Sequence, residues 1–168
     1  MITRAPTSLK MVTDMQRITE LENGVRVIET NKQLAALAQI HAAIWLFRRG
    51  QLECAVTLAG AAEGVIPPTA ERHLFLALKN GPLAREEFDY NDAINWLKHP
   101  VPPDEFIIPE FEAAIILVRA ISKFFTVYKT GSPAMKSFVR WTFEQGHLPM
   151  PSLADYAELQ TPYRFDRR

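Results

Sequence analysis

Three side chains near the middle of this 168-residue sequence are of types that handle anions and protons. Asn95, Lys98 and His99 supply a carboxamide, an ammonium and an imidazole within the run Asp92-Ala93-Ile94-Asn95-Trp96-Leu97-Lys98-His99, which closes on Pro100. On a helix, spacings of three and four put Lys98 and His99 on the face of Asn95, so the three can converge. An imidazole at a helix C-terminus is favoured in its protonated form by the partial negative charge of the free carbonyls. In a nuclease such a group can act as general base on a ribose 2′-hydroxyl or as acid on a leaving oxygen, with lysine or arginine stabilising the phosphorane charge. The other reading is a C-terminal cap, because lysine and histidine neutralise exposed carbonyls in last turns. Spacing alone favours the cap.

A second polar feature lies in the most apolar segment, 110–129, where Glu112, Arg119 and Lys123 form a narrow line interrupted by Ile116. Arg119 can bind an anion beside His99, or it can pair with Glu53 or Glu63 from the Ala-rich segment 53–64 and lock a bundle. The pairing is the stronger expectation, since buried charges are normally compensated. Glu144-x-x-His147 imitates a metal-ligand spacing, but Gly146 ends that segment and no second carboxylate-histidine set completes a di-iron site. No zinc spacing, phosphate-cradling glycine loop or nucleophile elbow is present, so neither metal nor cofactor is expected. His41 and Trp45 read as core or interface residues. Cys54, the single cysteine, sits beside Glu53 without the positive surroundings of a reactive thiolate.

The elements that must carry these residues are mostly helical. Helical spacing of apolar residues runs over 31–49, capped by Thr30 and stopped by Gly50. Small residues over 53–64 suit a helix closely approached by its neighbours, and the short Gly50-Gln51 connection makes these two helices antiparallel. Shorter helices are expected over 69–79, from about Arg85 or Asp89 to His99, and over 153–159. The longest is expected from Glu110 to about Lys129, opened by Pro109, and another follows Ser132-Pro133 to Gly146. Residues 16–30 read as a β-hairpin turning at Asn23-Gly24, a dipeptide of type I′ turns. These elements divide into an N-terminal arm (1–30), one helical-bundle domain (31–160) and a tail (161–168).

Almost half the residues are apolar, enough for one core without disulfides. Residues 1–49 hold seven basic against four acidic side chains, 50–115 four against eleven, and 116–168 eight against four. The acidic middle disfavours a large non-specific nucleic-acid surface, while leaving room for a small basic pocket. Without a signal-like N-terminus or a long apolar run, a cytoplasmic protein with no membrane partner is expected.

The segment Ile94 to His99 resembles the signature of HEPN domains, all-α bundles with an arginine, often a polar residue after it, and a histidine four to six positions beyond the arginine. The chain is also similar to an uncharacterised group of bacterial helical proteins, through Glu53-Cys-Ala-Val-Thr-Leu-Ala-Gly-Ala-Ala-Glu63, Asn95-x-x-Lys98-His99, and Glu112-Ala113 to Arg119-Ala120-Ile121. The resemblance implies a HEPN-like up-and-down bundle acting as a homodimer, with Asn95 at the polar position and His99 at the histidine. The arginine position holds Ile94, and an aliphatic side chain neither binds phosphate nor stabilises transition-state charge. The resulting expectation is a binding or regulatory module that has lost ribonuclease chemistry, with Lys98, Arg119 and Glu63 as ligand-binding candidates for RNA or a small anion. Two alternatives stand beside it: an active metal-independent ribonuclease in which Arg119 replaces the missing arginine, and a structural interaction bundle using Trp45, Trp96 and Trp141.

Overall fold

The computed structural model describes residues 17–20, 24–69, 91–100 and 102–148. Among them run strands β1 (Arg17–Glu20) and β2 (Arg26–Glu29) and helices α1 (Lys32–Phe47), α2 (Leu52–Val65), α3 (Asp92–Lys98), α4 (Glu110–Tyr128) and α5 (Pro133–Glu144). The described residues are therefore mostly helical, with one small hairpin among them. The helices expected over 69–79 and 153–159, and any turn of the motif helix before Asn91, lie outside the described residues.

The strands pair antiparallel, with Arg17 opposite Glu29 and Glu20 opposite Arg26. A two-residue turn at Asn23-Gly24 would instead set residue 22 opposite 25, so the register differs by one from that expectation. In a strand this slip exchanges the two faces. Gly24 has the positive φ (77°) that made it a turn signal.

Asn31, not Thr30, caps α1, its Oδ1 accepting the Leu34 N–H at 2.9 Å. Gly50 ends the following turn with φ 74°. This tight corner makes α1 and α2 antiparallel, and Ala36 and Ala43 of α1 and Ala55, Ala59 and Ala62 of α2 are fully or almost fully buried. Their small size permits the close packing of this pair. Beneath the pair runs α4, which packs on α2, α1 and α5, while α3 packs on α2.

Helix α4 is buried without a break from Glu112 to Ser122, as expected of a helix apolar on nearly every side. Pro109 stands at its N-cap, and Lys129 closes it in the left-handed region (φ 54°). Helix α5 begins at Ser132, whose Oγ accepts the Met135 N–H. Phe138 and Trp141 of α5 then meet Phe47 of α1 edge-on, with ring centroids 5.1 and 5.4 Å apart.

Between α4 and α5, Gly131 lies so close to Phe125 that an added Cβ would fall within the ring. Gly131→Ala is expected to displace Phe125 and cost about 1–3 kcal/mol, the usual range for overpacking. Urea unfolding followed by circular dichroism measures it, and an unchanged midpoint would show that the ring moves freely.

Candidate functional site

The polar line of α4 is an inward seam. Glu112, Ile116, Arg119 and Lys123 recur at helical spacing on the side that meets α2 and the start of α3. Arg119 is only 2% exposed, which places a guanidinium in the core. Its Nη2 donates to Glu63 Oε2 at 2.7 Å and to Asn91 Oδ1 at 3.1 Å. One turn on, Lys123 donates from Nζ to the backbone carbonyl of Glu63 at 2.7 Å. Burial pulls the Lys123 ammonium below its ordinary value, and the nearby Glu63 carboxylate opposes that shift.

At the other end of the seam Glu112 is 4% exposed. Burial pushes its carboxyl above the usual range, repulsion from Asp92 adds to this, and a hydrogen bond from the backbone of Ala93 opposes both. Asn91 and Ala93 thus tie the beginning of α3 to Arg119 and Glu112 of α4. The Asn91 side chain makes no cap bond to its own helix, being turned toward Arg119 instead.

The motif residues occupy the opposite situation. Asn95, Lys98 and His99 are all exposed, whereas Ala93 and Ile94 are buried. His99 lies beyond the last helical residue, with extended backbone (φ −127°, ψ 139°), because the following Pro100 disfavours helical geometry in the residue before it. His99 is thus the C-cap of α3, and its backbone N–H still completes the helical pattern by donating to the Asn95 carbonyl at 3.0 Å. Between them Trp96 points back, donating from Nε1 to the Pro103 carbonyl at 2.6 Å and stacking on Phe106. That contact holds the Pro-rich strap against α3.

The candidates therefore divide into two sets. Glu63 and Arg119 are joined in the seam; Asn95 and Lys98 lie on the outside of α3, and His99 caps its end. Of the two roles open to Arg119, the structure realises the ion pair with Glu63. Asn91 was not among the sequence candidates, and a lone asparagine before a short helix offers no signal for its bond to a residue 28 positions away.

The remaining candidates are placed simply. His41 Nε2 lies 2.7 Å from Ser132 Oγ, and burial lowers its pKa. His147 packs on Trp141 while Glu144 is exposed, and Gly146 (φ 72°) ends α5 between them. Among the described residues no group of three histidine, cysteine or acidic side chains could hold a metal ion, and no helix is long and apolar enough to cross a membrane. No protein-family model, no curated protein and no solved structure matches the chain.

Two measurements test the seam. Breaking a buried pair from one side leaves an uncompensated charge, so Arg119→Met or Glu63→Gln alone is expected to cost about 3–5 kcal/mol. The double variant should lose clearly less than the sum in urea titrations, and simple additivity would mean that the two groups do not act as a pair. For Glu112 the folded pKa lies above the unfolded one, so its ionisation weakens the fold as pH rises through the folded value. Glu112→Gln should therefore gain stability relative to the parent over that window and hold the gain above it; thermal melts across pH 3 to 8 read the difference.

Proposed function

We propose that this chain is a HEPN-like helical module that acts as a homodimer by binding, without ribonuclease chemistry. The observation that carries the reading is the commitment of Arg119 to Glu63, because Arg119 is the cation on which an alternative cleavage site depends. A guanidinium neutralised 2.7 Å from a carboxylate is a poor stabiliser of developing phosphorane charge. Ile94 supports the same conclusion. It faces α2, where a Cβ on Gly60 would come within 3.2 Å of its Cγ2, so the position corresponding to the motif arginine points into the core.

What remains outside is a surface of amide, ammonium and imidazole at the end of α3. These groups suit an anionic oxygen, whether on RNA, on a small ligand or on a partner's acidic side chain. The reading as an interaction bundle draws on a separate observation: Trp45 stands 56% exposed, whereas Trp96 and Trp141 are partly covered within the fold.

Incubation with single-stranded RNA is the direct test. No cleavage is expected from the parent chain, and Ile94→Arg should create none while lowering stability. Lys98→Glu should weaken binding of a phosphate-bearing probe about tenfold or more, the scale of one charge-assisted contact. Cleavage that vanishes in His99→Ala, with the helical spectrum unchanged, would overturn the non-catalytic reading.

A further inference from the structure

The α1–α2 pair turns one side to the bundle, and several residues of its other side are exposed. On α1, Ala36, Ile40, Ala43 and Ile44 are buried, while Ala38 and Trp45, seven residues apart, share the exposed side. On α2, Ala55, Val56 and Ala59 are buried, and Glu53, Cys54, Thr57 and Gly64 are exposed. A Cβ at Gly64 would meet open space, so no packing within the chain requires a glycine there. From Cys54 to Ala62 the helix carries no charged side chain. An outward helix face ordinarily carries charges, and here they are gathered instead at the corner between the helices.

That corner holds an ordered set. The Arg49 guanidinium lies over the Trp45 ring at 4.3 Å, within cation–π range. Glu53 lies just across the turn, exposed, and among the described residues neither its carboxylate nor Arg49 has an ion-pair partner. The patch thus contains an aromatic anchor, a cation and an anion within one turn-joined pair of helices.

We infer that this face is the contact surface between two copies of the chain, with Trp45 at its centre and Arg49 of each copy paired with Glu53 of the partner subunit. The inference rests on the homodimeric reading and assigns it a surface. Charge complementarity selects the occupant. In a twofold contact, residue i meets j while j meets i, so the surface must carry both members of each pair, as this one does. A partner of one charge sign would leave Arg49 or Glu53 opposed by a like charge. Tryptophan and arginine are also the side chains that most often dominate interface energetics. The small outward residues of α2 let a second helix pair come close without clash.

Light scattering over a range of concentrations tests this on the intact chain. The parent protein should be dimeric, and a short bismaleimide should join two chains through Cys54. Trp45→Glu and Arg49→Glu should each weaken the dimer at least a hundredfold and abolish the cross-link, with the helical spectrum unchanged. Arg49→Glu combined with Glu53→Arg in one chain should restore association, because both halves of each pair are reversed. A parent chain that is monomeric at every concentration would overturn this surface and the homodimeric reading together. A dimer that survives Trp45→Glu and Arg49→Glu would overturn this surface and leave the homodimer standing. If both single variants dissociate and the charge-swapped chain stays monomeric, the Arg49–Glu53 pairing is overturned.

Discussion

The bond between Arg119 and Glu63 sets terms that the neighbouring elements must meet. A guanidinium that is 2% exposed has exchanged its hydration for protein oxygens, and such a charge is tolerated only where those oxygens are fixed in place. Glu63 supplies one from α2 and Asn91 another from the start of α3. Lys123 adds a second tie, because it satisfies a carbonyl near the end of α2 that the helix itself cannot. Apolar packing brings α4, α2 and α3 together without specifying direction. The seam adds contacts that a shifted helix would break, leaving the buried guanidinium without its carboxylate.

Much of this was legible in the sequence because it follows from periodicity and punctuation. The stripe over 110–129, the small residues over 53–64 and the stops at Gly50 and Gly146 each express a local rule, and the helices lie where those rules point. The line of Glu112, Arg119 and Lys123 was visible as well, together with a pairing partner for Arg119. Legibility ends where the outcome depends on contacts between distant segments. Nothing near Asn91 announces that its amide will turn away from its own helix toward Arg119. The hairpin register depends on loop geometry that a favourable dipeptide does not determine. His99 follows a different pattern: helical spacing joins it to Asn95 through the backbone bond that ends α3, and Pro100 marks the stop that follows.

The two polar sets stand in a definite relation. The buried set fixes the start of α3, through Asn91 and through the bond from Ala93 to Glu112, and the exposed set hangs from the other end of that seven-residue helix. A helix this short has little stability of its own, so its orientation comes from its attachments. The Trp96 bond to Pro103 and the stack on Phe106 secure the far side. The exposed amide, ammonium and imidazole are thereby carried on a braced support, which reduces the ordering entropy that binding must overcome.

The shared hydroxyl of Ser132 has a consequence for the order of assembly. Its Oγ accepts the Met135 N–H that opens α5 and also meets His41 of α1, 91 residues earlier in the chain. The α1–α2 pair is joined by a four-residue corner and can form from local contacts, whereas the full environment of the α5 cap exists only after α1 is in position. Contacts of such long sequence separation are entropically expensive to close and tend to form late. Among the described helices, α5 is therefore the one whose cap depends on the contact most distant in sequence, 91 residues away.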